Sequence, residues 1–266
     1  MNTPNGANAT SSSPGPMTKG QGIIAVASGK GGVGKTWFSI TLAHAFARMG
    51  KGILLFDADL GMANVDIQLG LMPQRDLSGV ISGKLTLAQS TIRYDEGNFD
   101  IIAGSSGSGG LASLTANRLQ ALGTDLVNLS GTYDHVIMDL GAGVDRTVRL
   151  LAARAAQTVV VISTEPTSLT DAYAFIKLSL QRDANMDLSI VVNSADSVNE
   201  GRKTYETLAK ACENFLKVRL PLAGVIRRDR KVFEAIRSQT PLLTRSPTSP
   251  AAHDVEAIVD HLIGDI

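Results

Sequence analysis

The chain has 266 residues, 44% hydrophobic and 19% charged, enough for one large α/β domain with a sizeable core. Its 25 Lys and Arg balance 25 Asp and Glu, so no overall charge points to nucleic acid or to an acidic membrane surface. A lone cysteine, Cys212, excludes an internal disulfide, and the scattered His44, His135, His253 and His261 lack the spacing of a zinc or iron centre.

Residues 1–21 are rich in Ser, Pro, Gly, Asn and Thr, with Lys19 their only charge. They have neither the basic start nor the apolar middle of a signal peptide, and read as a disordered tail ahead of a single domain over 22–266. No apolar run approaches the roughly 20 residues of a membrane span, so the expected location is the cytoplasm.

The first apolar run, 22–27, passes into Ser28-Gly29-Lys30-Gly31-Gly32-Val33-Gly34-Lys35-Thr36, then Trp37 and a helical pattern. The string fits G-x-x-x-x-G-K-[ST] in the strand–loop–helix setting that gives that motif its meaning. Glycines let successive N–H groups turn inward around phosphate oxygens, and the helix start adds the positive end of its dipole. Nucleotide contacts are expected from Gly29, Lys30, Gly31, Gly32, Val33, Gly34, Lys35, Thr36 and Trp37. Lys35 would reach the β- and γ-phosphates and Thr36 a Mg²⁺ ion, which makes the chain a Mg-dependent ATPase. The alternative is a glycine-rich turn without a ligand.

The second run, 52–56, ends in Asp57-Ala58-Asp59-Leu60-Gly61-Met62-Ala63-Asn64. Carboxylates at a strand's carboxyl end beside a P-loop can hold Mg²⁺ waters and orient an attacking water. A run at 99–102 follows. The next strand, 133–138, ends at Asp139 and continues Leu140-Gly141-Ala142-Gly143, an apolar strand closing on Asp in the Walker B manner. Further runs lie at 158–162, 188–192 and 220–226, alternating with helical patterns at 167–182 and 199–215. Near-continuous apolarity suits strands covered on both faces. The rhythm predicts a doubly wound, mostly parallel sheet of seven or eight strands with helices on both faces, the P-loop NTPase fold.

A Ser/Thr/Pro segment at 240–250 leads to a last helix, with Ser249 as N-cap and Pro250 in its first turn. Val255, Ile258, Val259, Leu262 and Ile263 form its apolar stripe, while Asp254, Glu256, Asp260 and Asp265 are its charges. Anionic headgroups repel such a segment, so packing on the domain is expected instead of membrane binding.

The loop KGGVGKT, with Lys30 ahead of Gly31, resembles the deviant Walker A family that includes MinD, ParA and the nitrogenase iron protein. DADLG-x-x-N resembles its switch I. EPTSLTDAYAFIK at 165–177, DADLGMANVDIQLGL at 57–71 and VVNSADSVNEGRKTYETL at 191–208 resemble the FlhG/FleN subgroup, MinD-like regulators of flagellar number and placement. The resemblance spans roughly 22–237.

It implies ATP/ADP with Mg²⁺, a homodimer that closes on ATP, and slow hydrolysis that resets it. Lys30, Lys35 and Asp59 become the catalytic set, with Lys30 crossing to the partner's nucleotide and Asp59 positioning the attacking water. A solvated loop charge is the alternative for Lys30. Thr36, Asp57, Asp59 and Asp139 become the metal set, Asp57 supporting the Mg²⁺ shell or the switch. Asn64 contacts nucleotide or partner, and the Gly143 N–H approaches the γ-phosphate. Asn193 reads the adenine edge with its paired donor and acceptor, with Arg227 and Asp229 on the adenine-side loop. Capping a turn is the alternative for Asn193. The implied partner is a flagellar regulatory protein, with recruitment to a cell pole.

Four departures stand out. Gly141 replaces the proline of D-x-P-A-G, and Arg227 replaces that of G-V-I-P. The tail is acidic where membrane-binding relatives carry a basic helix, and the first twenty residues hold nothing resembling the motif that activates the GTPase FlhF.

The rival reading is a ParA-like DNA-binding ATPase. It rests on Lys217, Arg219, Arg227, Arg228, Arg230, Lys231, Arg237 and Arg245, opposed only by Asp229 and Glu234. An iron–sulfur carrier is excluded by the single cysteine.

Overall fold

The structure, a computed structural model, describes residues 18–104 and 114–264. Eight strands form one sheet: β1 (Gly20–Ser28), β2 (Ile53–Ala58), β3 (Ile92–Tyr94), β4 (Phe99–Ile102), β5 (His135–Ala142), β6 (Ala155–Ile162), β7 (Asp187–Ala195) and β8 (Leu222–Arg227). Their order is β3-β4-β2-β5-β1-β6-β7-β8. Only β3 and β4 pair antiparallel, so the sheet is mostly parallel, as the apolar runs led one to expect.

Period-two alternation divides the strands between two cores. Ile23, Ala25, Leu54 and Phe56 point to one face, while Ile24, Val26, Ile53 and Leu55 point to the other. The first face is covered by α5 (Ala116–Ser130), α6 (Arg146–Ala152), α7 (Pro166–Arg182) and α8 (Val198–Leu216). On the opposite face lie α1 (Lys35–Arg48), α2 (Val65–Leu69), α9 (Arg230–Arg237), α10 (Leu242–Arg245) and α11 (Pro250–Gly264). Short α3 (Leu77–Ile81) and α4 (Leu87–Ser90) lead to the β3 edge.

β1 enters two residues inside the expected tail. Lys19 pairs with Asp183 at 2.9 Å and Arg154 donates to the Thr18 carbonyl, which ties these residues to the domain. The earlier part of that tail lies outside the described residues, as does Asp265. At the other end, Ser249 accepts from the Ala252 N–H at 3.3 Å and caps α11. Val255, Ile258, Val259 and Leu262 are buried, with α11 packed against β8 and α1.

The order reverses at β1, which lies between β5 and β6. In open α/β sheets the crevice at such a switch point, beyond the strands' carboxyl ends, is where ligands bind.

Candidate nucleotide site

β1 delivers the chain at Ser28 into the loop 29–34, and α1 begins at Lys35. Gly34, the N-cap of α1, has φ 87°. A Cβ there would lie 2.3 Å from Asn193 Nδ2, so conformation and space both require glycine. Gly32 is likewise left-handed, and Gly31 and Gly32 are exposed. Gly29 touches the backbone of α7 at Asp171 and Ala172. Val33 and Trp37 are buried, and Thr36 is half-buried.

Lys35 is buried and places Nζ 2.8 Å from Asp139 Oδ1. Ser39, one turn further along α1, lies 2.8 Å from the same oxygen. Among the described residues, Asp139 Oδ2 is buried without a hydrogen-bond partner. Asp57 sits directly opposite Asp139 in the β2–β5 register. Burial, and then the Asp139 charge, push the Asp57 carboxyl up to about 7. Asp57 accepts from the backbone N–H groups of Asp59, Asn64 and Val65. It thereby fastens the loop after β2.

Asp59 Oδ1 accepts from Gly61 and Met62 at 3.2 and 2.9 Å, a turn that fixes the carboxylate at the strand's exit. Asn64 donates to the Met62 carbonyl at 2.6 Å and belongs to this same loop. Gly143, at φ 101°, donates its N–H to the Ser28 carbonyl at 2.9 Å. The β1–β5 ladder runs on past its register shift and engages the N–H expected to approach the γ-phosphate.

Lys30 donates to Glu165 and, at 2.9 Å, to Thr167 at the start of α7. It is held within its own chain here. A cleft of about 450 Å³ opens beside it, lined by the P-loop, Trp37, Asn193, Arg227, Asp229 and Phe233.

Two residues expected on the base side also make contacts within the chain. Asn193 donates Nδ2 to the Val33 carbonyl at 2.8 Å, so one of its amide hydrogens holds the P-loop in place. Arg227 gives its guanidinium to Asp254 of α11, with Nη2 2.8 Å from Oδ1 and Nε 2.9 Å from Oδ2. It braces the cleft wall and is not a free cation. Asp229 accepts from Lys231 N at 2.8 Å as the N-cap of α9, and from Ala251 N at 3.2 Å.

The donor set suits a hard cation: a hydroxyl at Thr36 and, in Asp139 Oδ2, a buried carboxylate oxygen that accepts from none of the described residues. Sequence reasoning missed Ser39, Glu165 and Asp254. Only Ser39 carries a local signal, its four-residue offset from Lys35 on one helix face.

Residues 24–242 match the model of the CobQ/CobB/MinD/ParA nucleotide binding domain. The antiactivator FleN of Pseudomonas aeruginosa is 38% identical over 237 residues, 89% of this chain and 84% of that protein. The flagellum site-determining protein YlxH of Helicobacter pylori is 28% identical over 92% of this chain and 82% of its own length. Among solved structures, the septum site-determining protein MinD of Pyrococcus horikoshii, complexed with Mg-ADP, superposes with a TM-score of 0.76 at 23% identity. That match covers 92% of this chain and 96% of the other.

Proposed function

Since the chain belongs to the CobQ/CobB/MinD/ParA nucleotide-binding family, as an ATPase of its FleN-like branch, we propose that it is a Mg-ATP-driven dimeric switch governing flagellar number or placement. The observation that carries this reading is the convergence of Lys35, Ser39, Asp139 and Asp57 beneath the P-loop, with Lys30 at its rim. Lys35 exchanges Asp139 for the β- and γ-phosphates when ATP enters. Asp59 orients the attacking water from its fixed turn. Thr36 and Asp139 hold Mg²⁺, which supplies charge neutralisation when bound. Lys30 leaves Glu165 and crosses to the nucleotide of a second copy.

The protein acts in the cytoplasm, at a cell pole, through a flagellar regulatory partner. The name of YlxH, a flagellum site-determining protein, supports the flagellar part of this reading, and that of FleN, an antiactivator, a regulatory one. Charge pairing speaks against the DNA-binding rival. Arg219 meets Glu206 and Glu213, Arg227 meets Asp254, Arg228 meets Asp196, and Arg230 and Lys231 share Glu234. Five of the eight cations that suggested it are thus already partnered.

Light scattering with Mg-ATP and with Mg-ADP tests the switch, dimer being expected only with ATP. Deleting the gene in its own host and counting flagella by electron microscopy tests the role. Unchanged flagella together with salt-sensitive DNA binding by the ATP form would favour the rival.

A further inference from the structure

A proline in a strand-end loop supplies two things: a fixed φ and the absence of an N–H needing a partner. Arg227 has neither, and the structure shows what stands in. Asp254 accepts the Arg227 backbone N–H at 2.9 Å and takes its guanidinium in a two-pronged fork. The Asp254 side chain is 11% exposed and that of Arg227 39%. Asp229 adds a second tie from the same loop to the first turn of α11, through the Ala251 N–H. The close approach depends on Gly224 of β8, where a Cβ would come 2.4 Å from Ile258 Cγ1.

We propose that Asp254 is a positioning residue for nucleotide-base recognition, so that α11, outside the matched domain, forms the outer brace of the base-side wall. The inference rests on the nucleotide reading of the cleft. Arg227 and Asp229 line that cleft, whereas Asp254 does not and acts only through them. The brace bears on the base end: the phosphate end is built from β1, β5 and the start of α1, whereas α11 meets α1 toward its other end, where Arg48 pairs with Glu256.

The test uses the full chain and calorimetric binding of ADP, GDP and inorganic tripolyphosphate. Asp254→Asn should weaken ADP by about tenfold and reduce the ADP-to-GDP preference, because a charge-assisted fork is lost. Tripolyphosphate should bind as before. Arg227→Pro combined with Asp254→Asn should regain the ADP affinity, since the Arg227 N–H goes to Asp254 and proline removes the need for it. Gly224→Ala, which pushes α11 outward, should reproduce the Asp254→Asn pattern with the ion pair chemically intact.

Equal weakening of ADP and tripolyphosphate, or no change in either, would overturn the proposal. If Asp254→Asn fails to fold, the double variant and Gly224→Ala decide on the same two criteria. A wild-type protein that binds neither ADP nor tripolyphosphate would instead defeat the nucleotide reading beneath it.

Discussion

Asp57 and Asp139 face each other across the β2–β5 ladder with no solvent exposure, and the Lys35 ammonium bonds to Asp139. Removing Lys35 leaves two adjacent buried carboxylates without a cation. Lys35→Ala should therefore lose ATP binding and also about 3–5 kcal/mol of stability at pH 8. At pH 5 the stability deficit should shrink, because one carboxylate takes up a proton. Urea unfolding at both pH values, with calorimetry for ATP, checks this. Equal deficits would contradict the buried-charge account.

Two buried groups should give opposing pH dependences in the nucleotide-free protein. Asp57 is raised from 3.8 to about 7. Its contribution is fully present below pH 3.8 and is lost as pH rises to 7. His44, buried in α1, is lowered from 6.5 to about 4 by burial and then by the Arg48 charge. Its contribution is present above pH 6.5 and is lost as pH falls through 4. Between these limits the slopes offset each other. His44→Leu should make the protein more stable on going from pH 7 to pH 4, by up to about 3 kcal/mol. Asp57→Asn should do the reverse. Denaturant curves across the range read both; parallel curves for the two variants would refute the pairing.

Asp59 both shapes a turn and is expected to orient water, and one substitution separates the two. Asn at this position still accepts from Gly61 and Met62 N–H but carries no charge. Asp59→Asn should bind Mg-ADP within about twofold of wild type while turnover falls by about a hundredfold or more. Phosphate release and calorimetry measure the two quantities. Normal turnover would remove Asp59 from the chemistry.

Lys30 and Glu165 form an ion pair at the surface, their side chains 36% and 62% exposed. Such pairs contribute at most about 1 kcal/mol, so Glu165→Gln should alter monomer ATP binding by less than about fivefold. ATP-dependent dimerisation should strengthen, because Lys30 is released for its partner. Mixing Lys30→Ala with Asp59→Ala subunits tests the crossing itself. One composite site then lacks both residues and the other has both, so activity should return above either parent. Mixed dimers that stay as inactive as the parents would return Lys30 to an ordinary loop charge.

The parallel strands and the P-loop were legible because their signals are local: apolar runs covered on both faces, and a glycine pattern at a strand's end. β3 was not legible. Its three residues, Ile92–Tyr94, pair antiparallel at an edge and make no run of their own. The acidic strand ends could be read, but not that Asp57 would be spent on three backbone N–H groups, since those arise from how the following loop folds back. Asn193 and Arg227 were assigned to the base side through the family resemblance. Their actual partners, Val33 and Asp254, are distant in sequence and meet them only in the folded chain.

The position of β1 fixes when a growing chain can first bind nucleotide. The strand bearing the phosphate loop is flanked by β5 and β6, so it has no sheet neighbour until residue 142 and lacks the second until residue 162 has been synthesised. Phe38 and Phe46, buried in the face that α11 finally covers, must wait longer still. During translation the helix that follows the P-loop therefore carries large apolar side chains with no completed sheet to bury them. An incomplete chain ending before β6 would expose this surface without acquiring the site.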